Sequence, residues 1–284
     1  QTAPSDPISN PLLRSNMPMP SLQQLLQTHK SLLLPVAHDA LTAKIIQKVG
    51  FPAMSIGGFG VAASRYGLPD FGILSYTEMR DAIQDIVRSV NLPVLVDGDG
   101  GYGDFLNIER MVREYEREEN ISCIFLEDQV LPKRCGHLAG KQIIASVDMA
   151  RKIRIATSAR SRNDLWIMAR TDARAIHGLD EALRRGQAYL NAGADVLFIE
   201  APESVEELEK IGTTFRGANL LVNALHGGKT PLLSQKEYED LGFNFIAHPT
   251  MSLLVTMKAL EKSFANLHQT GIATPAEGEA GAPL

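Results

Sequence analysis

The sequence predicts an α/β protein built as a single (β/α)8 TIM barrel, and three observations lead to that prediction. The chain of 284 residues lies within the range of one barrel domain. Short apolar runs alternate with longer amphipathic stretches, which is the pattern of repeated βα units. Polar or glycine residues follow nearly every apolar run, at the end of the strand where a barrel carries its active site.

Eight short apolar runs predict the strands. A doubly wound open sheet would use strands of the same kind, so the runs alone leave two architectures open. Nearly equal βα units on a chain of this length fit a closed barrel better. The runs cover residues 32–36, 53–57, 94–97, 122–126, 166–169, 196–199, 220–223 and 245–247.

Helix-like stretches follow the strands, for example residues 76–90, 107–119, 180–192 and 235–241. Residues 1–20 are rich in proline and show neither period, so we predict a flexible N-terminal arm. Residues 21–270 are predicted to form the barrel catalytic domain. Residues 271–284 are rich in Gly, Ala and Pro and are predicted to form a flexible tail.

The composition is typical of a soluble globular protein and argues against several kinds of partner. The chain is 44% hydrophobic and 21% charged, with a net charge of −5, which disfavours a nucleic-acid surface. No apolar run approaches the ~18 residues of a membrane span. Its two cysteines are too few for a disulfide scaffold, so a cytoplasmic location is expected.

Polar residues at the ends of the predicted strands indicate a functional rim. Acidic residues in such loops often do no more than cap the following helix. Their recurrence after all eight strands, with several carboxylates among them, favours an active site instead. The residues are His38-Asp39, Gly57-Gly58, Asp97-Gly98-Asp99, Glu127-Asp128, Arg170-Thr171-Asp172, Glu200, Asn223 and His248.

A metal site is predicted at the end of the third strand. Asp97 and Asp99 are separated and followed by glycine, and Glu127 ends the next strand. Mg²⁺ prefers one or two carboxylates together with several waters, and Mn²⁺ is the alternative ion. A glycine-rich turn with solvated acidic residues is the competing interpretation.

A reactive cysteine is predicted after the fourth strand. The Cys135 thiol is flanked by Lys133, Arg134 and His137, and Gly136 follows it. Positive neighbours lower a thiol pKa, so Cys135 is a candidate proton donor or acceptor near neutral pH, with an incidental loop thiol as the alternative. Cys123 lies within an apolar run and is predicted to be a core residue.

Substrate-binding groups are predicted at three further strand ends. Arg170 suits bidentate binding of a carboxylate, unless it only pairs with Asp172 or Glu200. Glu200 either orients Arg170 or shares in acid–base chemistry. Asn223, with the Gly227-Gly228-Lys229-Thr230 run, is a candidate for a second carboxylate, and phosphate is the competing ligand.

The second strand end is rich in small residues. Ser55, Gly57 and Gly58 would let backbone amides approach a carboxylate or an oxyanion closely. Tight packing explains these residues equally well.

Several motifs together resemble those of the isocitrate lyase/phosphoenolpyruvate mutase superfamily. They are, in order, LVDGDGGYGD, FLEDQ, PKRCGH, MARTDA and FIEAPES. The resemblance runs from about residue 22 to residue 267 and is strongest to the short members. These are the 2-methylisocitrate lyases, the dimethylmalate lyases, the petal death proteins and the oxaloacetate hydrolases.

The resemblance implies a role for each matching residue. Asp97 would bind Mg²⁺ directly, Asp99 and Glu127 would hold its waters, and Asp70 would lie nearby. Ser55, Gly57 and Gly58 would bind the 2-oxo acid end, and Arg170 and Glu200 would orient the substrate. Cys135 would be the general acid on a gating loop that includes Lys133, Gly136 and His137. Family members are homotetramers that exchange the last barrel helix between subunits.

The activity implied is a Mg²⁺-dependent carbon–carbon lyase acting on a di- or tricarboxylic 2-hydroxy acid of the 2-methylisocitrate or 2-alkylmalate type. Hydrolysis of oxaloacetate to oxalate and acetate is an alternative, and phosphonate P–C bond chemistry is a second one. Two departures from the family pattern bear on the substrate. His226 replaces an acidic residue near the pocket for the distal substrate group, and His38 stands where tyrosine is commoner.

Overall fold

The strands close into a barrel in the computed structural model, which describes residues 19–133 and 140–273. All pairs are parallel, each strand lies beside the next in sequence, and β8 returns to β1 with Leu32 opposite Phe245. The closed barrel is therefore confirmed over the open sheet. The strands are β1 Leu32–Ala37, β2 Met54–Ile56, β3 Val94–Asp97, β4 Ile121–Glu127, β5 Trp166–Thr171, β6 Val196–Ile199, β7 Asn219–Asn223 and β8 Phe245–His248.

Helices surround the barrel and connect its strands. Ala62–Tyr66 is a single π-helical turn that continues α3. The α-helices are α1 Leu22–Thr28, α2 Ala40–Val49, α3 Gly58–Val61, α4 Tyr76–Val87, α5 Phe105–Tyr115, α6 Ser146–Ala159, α7 Ala173–His177, α8 Leu179–Asn191, α9 Val205–Thr214, α10 Gln235–Asp240 and α11 Met251–Thr270.

Capping side chains fix where several helices begin. Ser75 accepts a hydrogen bond from the Glu78 amide while the Glu78 side chain accepts one from the Ser75 amide, and Ser234 does the same with Glu237. Asp104 caps α5 in a similar way, so this helix begins at Phe105, two residues before the predicted start. Some acidic residues after the strands therefore do cap the following helix, as Asp39 does before α2. Capping does not account for the rim as a whole.

Side chains of each strand alternate between two apolar layers. Leu95 and Cys123 lie inside the barrel, whereas Val94 and Val96 face the helices. Trp166 contacts Phe245 edge-on across the interior, with ring centroids 6.3 Å apart. The alternation buries both faces of the sheet and sends the polar residues that end each strand to one rim.

The last helix differs from the others in its exposed apolar side chains. Leu253 is its one buried residue, and Ser252 ties its first turn to β1 by donating a hydrogen bond to the Val36 carbonyl at 2.6 Å. Met257, Leu260 and Phe264 are each about half exposed or more. None of the helices in residues 19–133 and 140–273 has the length and apolarity to cross a membrane.

The predicted arm and tail fall almost wholly outside the described residues. Helix α1 begins at Leu22, immediately after its capping residue Ser21, and α11 ends at Thr270. The domain limits at residues 21 and 270 stay a prediction.

Candidate active site

A cavity of about 150 Å³ opens at the carboxyl ends of the strands. Ten of the predicted site residues line it, so one cavity gathers groups that are far apart in sequence. These residues are Ser55, Gly57, Gly58, Asp70, Asp97, Glu127, Lys133, Arg170, Glu200 and Asn223. The apolar part of its lining includes Phe59, Phe125, Met168, Phe198 and Leu225.

Backbone amides fix the Asp97 carboxylate at the end of β3. Its Oδ2 accepts a hydrogen bond from the Gly58 amide at 2.8 Å, and its Oδ1 accepts one from the Asp99 amide at 2.9 Å. Asp99 has a φ of 46°, in the left-handed region that is uncommon for a residue with a side chain. Beyond this turn the Asp99 carboxylate, like that of Asp97, lies beside the Lys133 ammonium.

The ammonium of Lys133 lies among three carboxylates. Its Nζ is 3.1 Å from Asp70 Oδ1 and 4.0 Å from Asp97 Oδ2, and it forms a close ion pair with Asp99. Burial by itself lowers the Lys133 pKa, but the charges of Asp99 and Asp97 outweigh it and raise that pKa well above its usual value. Lys133 therefore stays charged and neutralises part of the acidic cluster.

Arg170 organises the opposite side of the cavity. It binds Asp172 through Nε and Nη2 at 3.0 and 3.1 Å, and it lies 3.3 Å from Glu127 and 3.4 Å from Glu200. The guanidinium also lies over the Phe198 ring, 5.3 Å from its centroid. Arg170 thus has the structural partners that were predicted as the alternative, and it still lines the cavity.

Glu200 is bound on both of its oxygens. Its Oε1 accepts a hydrogen bond from the Ala201 amide at 2.9 Å, and its Oε2 accepts one from the Asn223 side chain at 3.1 Å. Glu200 therefore links Arg170 on β5 to Asn223 on β7. The predicted orienting role of Glu200 has a clear geometric basis.

Two carboxyl groups have raised pKa values because they are buried. Burial raises the pKa of Asp97 to about 6, although the charge of Lys133 opposes the shift. Burial likewise raises the pKa of Glu127 to about 8, against the opposing charges of Arg170 and Lys133. Perturbed carboxyl groups in a cavity are typical of functional sites.

The acidic cluster fits a hydrated divalent ion. Among the described residues, no three His, Cys, Asp or Glu side chains converge to hold a bare ion. Mg²⁺ usually takes one or two protein carboxylates and keeps several waters, so the cluster of Asp70, Asp97, Asp99 and Glu127 suits it. Glu127 Oε1 is buried with no hydrogen-bond partner within that part of the chain, and a metal-bound water would satisfy it.

The second strand end brings the chain backbone close to the acidic cluster. A methyl group added at Gly58 would lie 3.2 Å from Asp97 Oδ2 and 3.2 Å from Lys133 Nζ, so a side chain there would crowd both. The Ser55 hydroxyl donates a hydrogen bond to the Leu95 carbonyl at 3.0 Å and lies at the cavity floor. These contacts keep the site narrow beside the carboxylates.

Several predicted residues lie away from the cavity. His226 is exposed, and Lys229 pairs with Glu203 at 3.0 Å, so neither reaches the space that Leu225 lines. His38 is buried behind the rim, where its ring contacts the hydroxyls of Ser252 and Thr42 at 3.2 and 3.3 Å. Cys135, Gly136 and His137 lie outside the described residues.

The sequence reasoning missed a buried cation beside Arg170 and its partner Asp172. Lys141 donates a hydrogen bond to Asp172 Oδ1 at 2.8 Å, with both side chains almost fully buried. Its position six residues after Cys135 was the available signal. It also missed the apolar wall of the cavity: Phe198 was noted only as part of the FIEAPES motif, and Phe59 and Leu225 were given no role.

A family model described as phosphoenolpyruvate phosphomutase matches residues 22–268. A 2,3-dimethylmalate lyase of Eubacterium barkeri is 47% identical over 84% of this chain and 82% of its own. The petal death protein of Dianthus caryophyllus is 41% identical over 88% and 79%. A 2-methylisocitrate lyase of Halalkalibacterium halodurans is 42% identical over 88% and 81%.

Solved structures show the same fold. An oxaloacetate acetylhydrolase bound to 3,3-difluorooxalacetate has a TM-score of 0.86 and 31% identity, covering 91% of this chain and 88% of its own. A 2,3-dimethylmalate lyase has a TM-score of 0.86 and 34% identity, with 93% and 90% covered. A phosphonopyruvate hydrolase with oxalate and Mg²⁺ has a TM-score of 0.79 and 27% identity, with 91% and 89% covered.

Proposed function

Because this chain belongs to the phosphoenolpyruvate mutase/isocitrate lyase family, we propose that it is a Mg²⁺-dependent carbon–carbon lyase. Its proposed substrate is a 2-hydroxy di- or tricarboxylic acid of the 2-alkylmalate or 2-methylisocitrate type. The observation that carries the proposal is the pairing, across one small cavity, of the Asp97 acidic cluster with the Arg170 guanidinium. The acidic cluster, with its metal ion, suits the oxygens at the reacting carbon, and the guanidinium suits a carboxylate.

Cleavage breaks the bond between C2 and C3 and requires two proton movements. The C2 hydroxyl loses its proton as the 2-oxo acid forms, and C3 keeps the electron pair and gains a proton to give the second carboxylate product. Asp97, together with Asp70, Asp99 and Glu127, would hold Mg²⁺, and the bound ion would supply a Lewis acid for the substrate oxygens. Lys133 partly neutralises that cluster.

The remaining steps fall to side chains at other strand ends. Arg170 binds a substrate carboxylate and is oriented by Glu200, which also accepts a hydrogen bond from Asn223. The Gly57–Gly58 backbone and Ser55 border the oxo acid end. Cys135, assisted by His137, is the proposed donor of the proton to C3, an assignment that rests on its sequence motif.

Hydrolysis of oxaloacetate is the second candidate, since the barrel of an oxaloacetate acetylhydrolase matches this one with a TM-score of 0.86. Water would then attack the oxo carbon and give oxalate and acetate. Phosphonate P–C chemistry is less well supported. Cleavage of carbon–phosphorus bonds needs a nucleophile for phosphorus, whereas the PKRCGH motif offers a proton donor for carbon.

The exposed apolar stripe of α11 supports a homotetramer in which this helix packs on a second copy. Met257, Leu260, Phe264 and Leu267 recur at intervals of three and four residues, which places them on one side of the helix. An exposed stripe of this length is typical of an interface. We also propose a cytoplasmic location.

A substrate panel tests the proposed activity. The purified protein is incubated with Mg²⁺ and, separately, 2,3-dimethylmalate, 2-methylisocitrate, oxaloacetate and phosphonopyruvate, and the products are followed as 2-oxo acids, oxalate and phosphate. We expect turnover of one of the 2-hydroxy acids. Oxalate from oxaloacetate alone would support the hydrolase, and turnover of phosphonopyruvate alone would reject both.

The cysteine assignment has a matched control in the same chain. Cys135→Ser is expected to lower kcat by roughly 10²-fold, the usual scale for a positioned proton donor. Cys123→Ser changes a thiol that is fully buried in the barrel, so it should affect stability more than kcat. Equal kcat in wild type and Cys135→Ser would remove the thiol from the mechanism.

A further inference from the structure

A buried chain of alternating charges runs from the cavity into the barrel wall. Asp172 lies between two cations: its Oδ1 accepts from Arg170 Nη2 at 3.1 Å and from Lys141 Nζ at 2.8 Å. The Asp172 side chain is fully buried, and that of Lys141 is 2% exposed. Such a pair is retained only where its geometry and charge balance are favourable, because taking charges out of water is costly.

Backbone hydrogen bonds fix the segment next to Lys141. The segment that follows it pairs antiparallel with the residues just after β4, with Gln129 opposite Ile143. The Val130 amide donates to the Gln142 carbonyl and the Ile144 amide donates to the Asp128 carbonyl, both at 2.8 Å. Two short, hydrogen-bonded segments therefore keep Lys141 in place beside Asp172.

The charges around Arg170 do not balance without Lys141. One guanidinium faces Asp172, Glu127 and Glu200 at 3.0 to 3.4 Å. Its Nε and Nη2 are held by Asp172, which leaves Nη1 on the side of Glu127. A substrate with two or more carboxylates would meet excess negative charge there, and the ammonium of Lys141 reduces that excess.

We propose that Lys141 is a positioning residue that acts through Asp172 to prepare Arg170 for a substrate carboxylate. By sharing Asp172 Oδ1, Lys141 fixes the carboxylate, weakens its hold on Arg170 and adds a positive charge near the anionic substrate. The inference rests on the proposed substrate-binding role of Arg170. Lys141 does not line the main cavity, and Asp172 connects it to Arg170, which does.

The test compares the steady-state kinetics of Lys141→Met with those of the wild type on the substrate found with the panel above. We expect KM to rise roughly tenfold or more, the scale seen when an outer-shell partner is removed, with a smaller change in kcat. Lys141→Arg keeps the charge and should recover most of the affinity. Arg160→Met is the control, since Arg160 pairs with Asp195 at the opposite end of the barrel and should alter thermal stability without altering KM.

A double variant keeps the test decisive if Lys141→Met does not fold. Lys141→Met with Asp172→Asn removes both charges and leaves no lone buried anion. Its KM should be raised, because Arg170 then lacks the ionised carboxylate that fixes its guanidinium. A folded Lys141→Met or double variant with the wild-type KM would overturn the inference, whereas a wild type inactive on the whole panel would overturn the proposed function instead.

Discussion

At the residue scale, the acidic cluster depends most on Asp97, whose two oxygens are each fixed by a backbone amide. A carboxylate held in this way loses little freedom when it binds an ion. Asp97→Asn is expected to weaken Mg²⁺ binding by roughly 10²-fold, at the upper end of the losses seen when metal-site partners are removed. Isothermal titration of the purified variant with MgCl₂ measures the loss.

Asp104→Asn is the matched control for that substitution. Asp104 lies in the same strand-to-helix connection but caps α5 at the surface, and asparagine is an equally good cap. Its Mg²⁺ affinity should equal that of the wild type. Equal losses in both variants would mean that overall charge, rather than a site at Asp97, attracts the ion.

The same residues predict how Mg²⁺ binding depends on pH. Asp97, with a pKa of about 6, must lose its proton to bind a cation, so the apparent Kd should rise about tenfold per pH unit below that value. Without metal, the stability of the folded protein depends on pH in the opposite direction. The folded-state pKa values of Asp97 and Glu127 lie above their ordinary values. The two groups therefore add to the free energy of unfolding at acid pH, and this contribution is lost as the pH rises through about 6 and about 8.

Melting curves with and without Mg²⁺ between pH 5 and pH 8 measure both effects. The stabilisation by Mg²⁺ should be smallest at pH 5 and should grow toward pH 8, because the ion then finds the carboxylates ionised. A stabilisation that is independent of pH would contradict a site built on these carboxylates.

At the scale of elements, the sequence allowed the strands to be predicted better than the contacts between side chains. The eight strands follow from short apolar runs, and their polar ends meet because parallel strands of a barrel point the same way. The start of α5 was predicted two residues too late because its cap, Asp104, was not considered. Pairing of Lys141 with Asp172, 31 residues apart, has no local signal and needs the packed structure.

Helix α11 carries the element-scale prediction. Its exposed stripe would lie in water in an isolated subunit, so we expect a second copy to cover it. Leu260→Glu with Phe264→Glu places charges at two of its positions, which are 49% and 63% exposed. The double variant should shift the protein from a tetramer to smaller species, as measured by sedimentation velocity.

Leu106→Glu controls for the effect of an added surface charge. Leu106 is 80% exposed on α5 and is not part of the stripe. Its variant should sediment like the wild type. A wild type that sediments as a monomer, or a Leu260→Glu/Phe264→Glu variant that remains tetrameric, would contradict the proposed role of α11.

At the scale of the whole molecule, closure of the barrel brings the acidic cluster and Arg170 to one cavity. Asp97 ends β3 whereas Arg170 ends β5, and β8 must return to β1 before the cavity has a complete wall. This is why the motifs could be assigned to one site from sequence once a barrel was assumed. His226 shows the limit of that reasoning, because proximity to a strand end in sequence did not place its side chain in the cavity.

The closure itself can be probed through the single tryptophan of the chain. Trp166 begins β5 and contacts Phe245 of β8 across the barrel interior, so its fluorescence reports on packing between distant strands. Phe245 is fully buried, and Phe245→Ala is expected to lower the free energy of unfolding by about 3–5 kcal/mol. Phe71→Ala changes a side chain that is 43% exposed and should alter the free energy of unfolding by no more than about 0.5 kcal/mol.

Urea unfolding at one fixed protein concentration, followed by Trp166 fluorescence and far-UV circular dichroism, measures both variants. If the barrel is one cooperative unit, the two signals change together in each variant. Separate transitions, or similar losses for the two variants, would show that the contact between β5 and β8 does not hold the barrel closed.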